Sequence, residues 1–598
     1  MKKIFLLLSI LCTALTLSAK PIDEKQARDI ATNFFSQHMT RSAACNLKLE
    51  WAGSNIMGVS RAANTTDNPL LYIYNNESAN GFVIVSGDTN TDLVIAYSLN
   101  NNFDADNMSE AAQALLDAWC RQIEDARNSG KHISSESYQL TRANDELLYD
   151  TALWDQGEPY NRKAPKIDGK LSLTGCAATA MSIICYYHKW PNKGVGTTPA
   201  YTYVWSDDND ENKTYTNSVE ANPLGRPYEY SKMKKSYNSS SKDYTEEQAD
   251  AVATLMKDMG TAIKMSYHPK GSGASKTDVV YAFSNYFSYS KGIQLAYAND
   301  YSYEEWTALL RENLRNCGGP VYFTGADYKN SGHAYVLDGY DANNRFHINY
   351  GWSGFDNGYY YLPASEYYKD QSTTLNLKPD RDGTSVQQYY DHLSLVGLED
   401  EDTGELIAGI FSDALSYSPG SKFWCAIGSI LNDGVTTFNG YIALALCDKN
   451  GNLKEVLSYR ATSIEPGYGV GWDDYCVITE TINEGDRLRV FYIGEYSSDL
   501  QWARKYQDKY TVDEVIVKAS PEDMAKDLWI KYEKDSHRFT FSNKQAMKVD
   551  VYYHDTNKKY GSVDLESFAK GYLDLTPGEA YRFEFSLGAE PYKIVIRP

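Results

Sequence analysis

The sequence is poor in basic residues and in long apolar segments. Its 598 residues include 58 Lys and Arg against 79 Asp and Glu, which gives a formal net charge of −21. This charge repels phosphate backbones and anionic lipids, so we expect no nucleic-acid partner. Beyond the first 19 residues, no segment offers the roughly 20 consecutive apolar residues that cross a bilayer. The sequence therefore predicts no integral membrane segment.

Cysteine is also scarce, and the sequence lacks metal-ligand patterns. The nine cysteines are scattered without Cys-x-x-Cys spacing, which argues against a disulfide scaffold and a structural zinc site. Histidines do not recur at ligand spacings, the acidic runs lack an EF-hand pattern, and no glycine-rich loop is typical of a phosphate site. We therefore expect no metal ion and no organic cofactor.

What the sequence does have is a globular composition, with 42% hydrophobic residues and 50 tyrosines. Its length is typical of several domains. The first 19 residues contain a basic start at Lys2 and Lys3, an apolar run, and small residues at Ser18 and Ala19. This pattern is typical of a cleavable secretory signal. We therefore expect a secreted or cell-surface protein that is periplasmic in transit.

Residues 20–144 are predicted to form a small α+β unit. Helical periodicity appears at both ends of the unit, and the second helix is predicted over Met108–Arg127 with Asn107 and Glu110 as its capping box. Short apolar runs between the two helices predict strands. The polar stretch 128–150 has no obvious core residues, so we interpret it as an exposed and cleavable linker.

Residues 145–380 are predicted to form an α+β domain, in which aromatic and glycine-rich turns alternate with helices. One such helix is predicted over Thr245–Met259, where Thr245 and Gln248 make a capping box and Gly260 marks the end.

The C-terminal regions, 386–518 and 524–598, contain short alternating apolar runs between Gly, Asn and Asp turns. This pattern is typical of β-sandwich modules. The predicted fold class is therefore multidomain, with two α+β units followed by all-β modules.

Cys176 lies in the most informative segment, Leu173–Ile184. Thr174 and Gly175 predict a turn, and small and apolar residues then continue without a helix breaker to Trp190. A helix is therefore predicted whose first turn holds Cys176. A thiol there faces unpaired backbone N–H groups and the positive end of the helix dipole, which lower its pKa and favour the thiolate. Taken alone, a buried structural cysteine stays an alternative, because free cysteine is among the most buried residue types.

A nucleophilic thiolate needs an imidazole within hydrogen-bond reach. His188 lies twelve residues further along the same predicted helix, about 18 Å away, and is excluded. Three histidines of the central region remain. His333 follows a glycine turn at the head of an apolar strand, where a general base meets solvent and substrate, so it is the favoured candidate. His347 is predicted to pack inside the next strand, and His268 lies in a polar loop.

Two amide side chains are further candidates. Asn349 follows His333 by sixteen residues, in a strand that can form a hairpin with the His333 strand. Whether Asn349 or an aromatic neighbour orients the imidazole stays open, because the turn does not fix the register. Gln156 lies in a Pro-bounded loop before the Cys176 helix. Its amide could donate to an oxyanion together with the backbone N–H of Cys176.

Four segments that contain these residues, in this order, closely resemble the streptopain family of papain-like cysteine peptidases: Trp154–Asn161, Thr174–Pro191, Gly332–Tyr340 and Phe346–Gly354. The resemblance implies a papain-like fold over 145–380. Its implied catalytic residues are Cys176 as nucleophile, His333 as general base and then acid, Gln156 in the oxyanion hole, and Asn349 and Trp352 beside the histidine. Tyr350 stands where family members commonly have Trp.

The same resemblance implies further roles. Residues 20–144 would be an inhibitory propeptide, and the C-terminal modules would correspond to the appended β-domains of longer relatives from anaerobic Gram-negative bacteria. The substrate-binding residues that it implies are Met265, Gly271, Ser272, Gly273, Ala274 and Gly332.

The leading functional interpretation is a secreted cysteine endopeptidase, made as a zymogen, that acts on proteins or peptides through a thioester acyl-enzyme. Its own propeptide would be an intramolecular inhibitor. One alternative is an inactive, peptidase-like surface adhesin that binds host protein or glycan through its β-domains, and another is acyl transfer to an amine. Intact Cys176, His333 and Gln156 favour the peptidase.

Overall fold

The structure, a computed structural model, describes most of the chain that follows the predicted signal. The described residues are 21–38, 46–54, 56, 68–133, 145–167, 169–207, 210–329, 331–386, 391–399, 406–412, 417, 420, 422–497, 499–505, 511–517, 528–533, 538–543, 547–554, 556–565, 570–574, 576, 579–587 and 590–596. The predicted signal at 1–19, and residues 134–144 of the predicted linker, lie outside them.

The chain divides into two compact units. The first contains residues 1–150 together with Asp327–Ser331 and Leu337–Tyr368, and the second contains Thr151–Ala326, Gly332–Val336 and everything from Lys369 onward. The short segment that carries His333 therefore belongs to the second unit, while the residues on either side of it in sequence belong to the first.

The helices and strands before residue 151 are α1 (Glu24–His38), β1 (Leu47–Gly53), β2 (Leu71–Asn76), β3 (Gly81–Ser86), β4 (Val94–Ser98), α2 (Glu110–Ser129) and β5 (Leu147–Leu148). Between residues 151 and 386 they are β6 (Lys166–Ile167), β7 (Lys170–Leu171), α3 (Cys176–His188), β8 (Thr197–Thr198), β9 (Tyr201–Asp207), β10 (Asp210–Val219), β11 (Asn222–Pro223), α4 (Glu246–Ala262), α5 (Lys276–Asn285), β12 (Gln294–Tyr297), α6 (Tyr303–Cys317), β13 (Val321–Ala326), β14 (Gly332–Tyr340), β15 (Phe346–Asn349), β16 (Gly358–Tyr360) and β17 (Lys369–Leu375).

The C-terminal elements are all strands: β18 (Leu393–Glu399), β19 (Leu406–Ala408), β20 (Ile410–Ser412), β21 (Lys422–Asn432), β22 (Phe438–Cys447), β23 (Leu453–Ile464), β24 (Gly469–Val477), β25 (Arg487–Gly494), β26 (Gln501–Trp502), β27 (Glu514–Ile516), β28 (Leu528–Glu533), β29 (Arg538–Asn543), β30 (Met547–Tyr553), β31 (Lys559–Leu565), β32 (Lys570–Asp574), β33 (Tyr581–Leu587) and β34 (Glu590–Ile596). The predicted fold class, two α+β regions followed by all-β modules, is confirmed.

The first unit is built on one antiparallel sheet with strand order β1-β2-β3-β4-β16-β15-β14. Tyr359 and Tyr360 of β16 pair with Tyr97 and Ala96 of β4, so the sheet of the N-terminal region continues into the 337–368 segment. Helix α1 covers one face because its apolar residues recur on one side of the helix. The buried residues of that contact are Ala27, Ala31, Phe34, Phe35, Tyr72, Tyr74, Val83 and Val85.

The start of α2 corrects one prediction. The N-cap is Ser109, whose hydroxyl accepts a backbone N–H of the first turn, and the predicted Asn107 is not the cap. Asn107 instead donates its side-chain amide to Asp104 at 2.8 Å. The backbone N–H of Ser109 donates to the Asp356 carboxylate at 2.8 Å. A partner this distant in sequence cannot be seen in a local capping pattern.

The predicted linker has ordered ends. Helix α2 extends to Ser129, and strand β5 pairs Leu147 with Tyr340 of β14. The Tyr340 hydroxyl also donates to the Asp145 carboxylate at 2.8 Å. The cleavable linker at 128–150 stays a prediction: its described ends are mostly exposed, and residues 134–144 lie outside the described residues.

In the second unit, helices α3, α4 and α5 pack together, and the strand order is β13-β17-β12. The capping box of Thr245 and Gln248 at the start of α4 is confirmed. The prediction that Gly260 ends the helix is wrong, because α4 continues to Ala262. Glycine is required at position 260, inside the helix, because a Cβ there would lie 2.1 Å from the Tyr267 hydroxyl oxygen.

The first C-terminal module consists of two five-stranded sheets. One has the order β19-β18-β21-β20 with β24 on β21, and the other β23-β22-β25-β26 with β27 on β25. A shared core of buried apolar residues, among them Leu395, Ile430, Ile442, Leu444 and Val490, lies between the inner faces.

The last module has a three-stranded sheet, β28-β29-β32, and a four-stranded sheet, β31-β30-β33-β34. Across the described part of the whole chain, no helix has the length and apolarity that crossing a membrane requires.

Candidate active site

Cys176 is the first residue of α3, which confirms the prediction of a helix whose first turn holds this cysteine. Gly175 precedes it with φ +87° and ψ 143°, a conformation open to glycine and costly for other residues. A glycine at this place has no side chain to cap the helix, and no side-chain cap bond is present. The thiol of Cys176 is half-buried, at the positive end of the helix dipole. The thiolate character expected of Cys176 from the sequence stays a prediction.

The sulfur of Cys176 lies beside the strand that carries His333. The backbone N–H of Ala334 donates to Cys176 Sγ at 3.4 Å. His333 is the residue before Ala334 in β14 and is half-exposed, while Gly332 is exposed. The structure therefore brings the predicted nucleophile next to the strand segment of the predicted base.

Tyr322 of β13 also lies near the sulfur. Its side chain is buried, and burial followed by the charge of Cys176 raises the pKa of its hydroxyl well above the usual value. The phenol therefore stays protonated at any working pH.

Gln156 is linked to the Cys176 segment through its backbone. Its carbonyl accepts the N–H of Thr174 at 3.1 Å, two residues before Cys176. The turn that carries Gln156 is held by Asp155, whose carboxylate accepts the N–H of Gln156 at 2.5 Å and that of Gly157 at 3.2 Å. Gln156 is half-buried. An amide at this place is close enough in structure to the start of α3 to be considered for the oxyanion hole.

The predicted substrate-binding loop, residues 265–274, is tied directly to the same turn. Met265 is fully buried, and a Cβ on Gly175 would lie 2.6 Å from its methyl carbon. The Ser272 hydroxyl accepts the His268 N–H at 2.9 Å and donates to the Leu173 carbonyl at 2.9 Å.

Within this loop, Gly271 and Gly273 are exposed, Ser272 is buried and Ala274 is half-buried. Ser266 N–H donates to the Gly273 carbonyl at 2.8 Å, which closes the loop on itself. Its exposed backbone is therefore the part that a substrate can contact.

Asn349 and Trp352 belong to the first unit. Asn349 is buried, and its side-chain carbonyl accepts the N–H of Gly351 at 3.1 Å. Trp352 is half-buried, and Tyr350 is buried with its N–H donating to Asn357 at 3.1 Å. These contacts fix the turn after β15. The proposed support of His333 by Asn349 or Trp352 stays a prediction.

The histidines set aside in the sequence have other contacts. His268 is buried and stacks on Trp205, with ring centroids 3.5 Å apart. His347 Nδ1 lies 2.5 Å from the Asp338 carboxylate on the neighbouring strand. His188 is half-buried at the end of α3, and burial followed by the charge of Arg381 lowers its pKa to about 4. Each is accounted for by contacts away from Cys176.

The hairpin β9–β10, which was not predicted from the sequence, contacts the predicted substrate-binding loop. The Tyr201 hydroxyl donates to the Met265 carbonyl at 2.9 Å, and the Tyr203 hydroxyl donates to the Tyr267 carbonyl at 2.8 Å. Burial raises the pKa of both hydroxyls, so they remain donors. The alternation of aromatic residues at positions 201, 203 and 205 is the signal that could have found this face.

Two regions of the chain match known protein families. Residues 154–360 match the Peptidase C10 family, and residues 19–123 match the Spi protease inhibitor. The chain is 30% identical over 409 residues to the thiol protease/hemagglutinin PrtT of Porphyromonas gingivalis, a match that covers 63% of this chain and 44% of PrtT. The match therefore spans less than half the length of that relative.

Streptopain of Streptococcus pyogenes is 29% identical over 357 residues, which cover 57% of this chain and 85% of streptopain. Among solved structures, a prointerpain A fragment of Prevotella intermedia is similar at 24% identity and a TM-score of 0.44, covering 56% of this chain and 99% of the fragment. Active interpain A is similar at 29% identity and a TM-score of 0.34, covering 40% of this chain and 97% of its own.

Proposed function

We propose that this chain, whose residues 154–360 match the Peptidase C10 family, is a secreted endopeptidase, made as a zymogen, that hydrolyses peptide bonds through a thioester on Cys176. The observation that carries the proposal is the 3.4 Å hydrogen bond from the Ala334 N–H to Cys176 Sγ, since it joins the start of α3 to the His333 strand. The helix N-terminus and the imidazole both favour the thiolate that this chemistry needs.

In the first half of the reaction, His333 holds the thiol proton as the Cys176 thiolate attacks the carbonyl carbon of the scissile bond. The oxygen becomes an anion that accepts N–H groups from the Cys176 backbone and the Gln156 side chain. His333 then gives its proton to the leaving amine, the C–N bond breaks, and a thioester remains.

In the second half, a water molecule attacks the thioester carbon while His333 accepts a proton from it. The C–S bond breaks, which releases the carboxylic acid and returns the sulfur as thiolate beside protonated His333. Proteins and peptides are the proposed substrates.

The proposed zymogen state is supported by contacts within the first unit. Helix α2 reaches the 361–367 segment, where the Trp119 indole N–H donates to the Tyr361 carbonyl at 2.9 Å and Arg121 donates to the Tyr367 carbonyl at 2.8 Å. The Arg121 guanidinium also lies 4.8 Å from the ring of Tyr328. The N-terminal region therefore contacts residues that precede the segment 332–336 and residues that follow it. We propose that these contacts restrain His333 until the N-terminal region is removed.

A second contact lies at β4, the strand of the N-terminal region that pairs with β16. The buried Arg345 guanidinium donates twice to the Val94 carbonyl of β4, at 2.8 and 3.2 Å, and pairs with Asp341 at 3.1 Å. Asp341 also accepts the Tyr97 hydroxyl at 3.2 Å. Buried charged hydrogen bonds of this kind are costly to break, which supports tight docking before processing.

The test uses the epoxide inhibitor E-64, which alkylates papain-like thiols, together with digestion of casein. We expect E-64 to label the wild-type chain at Cys176 and to stop both casein digestion and self-processing. Cys176→Ala should lose all three. Cys185→Ala, a buried thiol in the same helix, should keep them.

Casein digestion by purified Cys176→Ala would contradict the assignment of the nucleophile. A wild-type chain that is neither labelled nor active would favour the alternative of an adhesin. Cross-linked product in place of fragments would favour acyl transfer to an amine.

A further inference from the structure

The hairpin of β9 and β10 has one buried and one exposed face. Tyr201, Tyr203 and Trp205 alternate along β9 and are half-buried, whereas Thr202 and Val204 between them are exposed, Val204 by 63%. Alternation of this kind places every second side chain on one face of a strand. The aromatic face therefore has a partner, and that partner is the loop of residues 265–274.

Three successive contacts join the aromatic face to the loop. The Tyr201 and Tyr203 hydroxyls donate to the carbonyls of Met265 and Tyr267, at 2.9 and 2.8 Å. The Trp205 indole stacks on the His268 ring with centroids 3.5 Å apart and planes 15° apart. Hydrogen bonds from the hairpin thus fix the backbone of the 265–274 loop, and the stacking of Trp205 on His268 fixes the turn of that loop.

The loop in turn contacts the residues that precede α3. The His268 carbonyl accepts the Leu173 N–H at 3.2 Å, and the Ser272 hydroxyl donates to the Leu173 carbonyl at 2.9 Å. Met265 packs against Gly175 so closely that a Cβ on that glycine would lie 2.7 Å from its sulfur. The hairpin, the loop and the residues before Cys176 therefore form one connected assembly.

We propose that Tyr201, Tyr203 and Trp205 are a positioning clamp that holds the loop of residues 265–274 in the conformation that binds a peptide substrate. The inference rests on the proposed function, since it assigns a role within that reaction. The three clamp residues contact the loop, whereas the proposed reaction takes place at Cys176. They are therefore positioning residues. A loop held by a rigid scaffold binds substrate with less ordering cost than a mobile one.

The clamp predicts a change in substrate binding with little change in chemistry. For Trp205→Ala, we expect KM for a peptide substrate to rise about tenfold, with kcat within about twofold. The rate of Cys176 alkylation by iodoacetamide should stay within about twofold, because the start of α3 remains.

Three further variants make the test specific. Trp205→Tyr keeps a ring for the stack and should restore KM. Tyr203→Phe removes one hydroxyl without removing the ring, so it should raise KM in the same direction by a smaller factor and remain informative if Trp205→Ala fails to fold. Val204→Ala, on the exposed face, is the matched control and should equal wild type.

Hydrogen exchange in the full chain carrying Cys176→Ala gives a readout that needs no activity. The Ser266 and Gly273 amides bond each other's carbonyls across the loop at 2.8 and 3.2 Å, so Trp205→Ala should speed their exchange about tenfold relative to Val204→Ala. Unchanged exchange and unchanged KM in both clamp variants would overturn the clamp. Faster exchange in a chain whose wild type shows no peptidase activity would leave the clamp standing and reject the proposed function.

Discussion

The backbone N–H of Ala334 donates to Cys176 Sγ at 3.4 Å across 158 residues of sequence. This contact joins the first residue of α3 to the start of β14, where His333 lies. A thiolate and an imidazole must lie within hydrogen-bond reach to share a proton. The backbone segments that carry them must therefore be adjacent. The two elements that meet here carry the proposed nucleophile and the proposed base.

Gly175 is predicted to be irreplaceable in the turn before Cys176. Its φ of +87° disfavours any side chain, and an added Cβ would lie 2.6 Å from the Met265 methyl and 3.0 Å from the Ser272 carbonyl oxygen. Gly175→Ala should lower the free energy of unfolding by roughly 1–3 kcal/mol. It should also lower kcat more than about tenfold, because Cys176 must shift with the turn.

Thermal unfolding and steady-state kinetics test this prediction against Gly196→Ala. Gly196 has a similar φ of +75° but no atom within 4 Å of the added Cβ, so only the backbone penalty of about 1–2 kcal/mol is expected. A kcat for Gly175→Ala equal to that of Gly196→Ala would show that the contact with the loop does not position the nucleophile.

Gln156→Ala is predicted to remove an oxyanion donor without disturbing the fold. The bond that holds the Thr174 N–H uses the Gln156 backbone carbonyl at 3.1 Å, and alanine keeps that carbonyl. We expect kcat to fall about 10²–10³-fold with KM nearly unchanged, as for loss of one oxyanion donor. The midpoint of thermal unfolding should stay at the wild-type value.

Glu158→Gln, an exposed change in the same loop, is the control for Gln156 and should retain wild-type kcat. If Gln156→Ala loses less than about threefold in kcat, another group donates to the oxyanion.

Local features of the site could be predicted from sequence because local chemistry fixes them. A breaker-free run after Thr174 and Gly175 predicted a helix whose first turn holds Cys176, and a capping box predicted the start of α4 at Thr245. In both places the backbone groups at the helix end find their partners within a few residues.

Features that depend on distant partners could not be predicted. Asn107 has a suitable side chain for a cap, but Asp356 takes the Ser109 N–H and sets the helix start. Glycine often ends a helix, yet Gly260 lies inside α4, where the absence of a side chain lets the Tyr267 hydroxyl approach closely. The alternating aromatic residues of β9 are visible in the sequence, while the loop residues that they contact lie 64 residues further on.

Arg121 is predicted to restrain the zymogen from the N-terminal side. Its guanidinium donates to the Tyr367 carbonyl at 2.8 Å and pairs with Asp117 at 3.1 Å. Arg121→Met keeps much of the side-chain volume and removes these bonds, each worth about 1.5–3 kcal/mol when charged. We expect self-processing, followed as loss of the full-length band, to become about tenfold faster.

Arg28→Met is the control for Arg121, because Arg28 bonds the Leu47 carbonyl inside the N-terminal region, at 2.9 Å. It should process at the wild-type rate. Equal rates for the two variants would show that the contact of α2 with the 361–367 segment does not restrain processing.

His392 joins the peptidase region to the first C-terminal module within the second unit. Its Nε2 lies 2.6 Å from the Asp300 carboxylate, its Nδ1 bonds the Asp433 carboxylate, and its ring stacks on Tyr297 with centroids 4.3 Å apart. Burial lowers the pKa of His392, but Asp433 and Asp300 raise it more, to about 10. The imidazole is therefore charged at neutral pH and shared between two carboxylates.

This pairing predicts a pH-dependent stability with a defined sign. Because the folded pKa of about 10 exceeds the ordinary value of 6.5, the stabilisation is complete below pH 6.5 and is lost as pH rises to 10. His392→Gln should cost roughly 3–5 kcal/mol near pH 6, since it leaves two partly buried carboxylates without their cation. Thermal unfolding of wild type and variant should therefore converge toward pH 10. His554→Gln, an exposed change in the last module, should show no such convergence, and a constant gap for His392→Gln would refute the charged pairing.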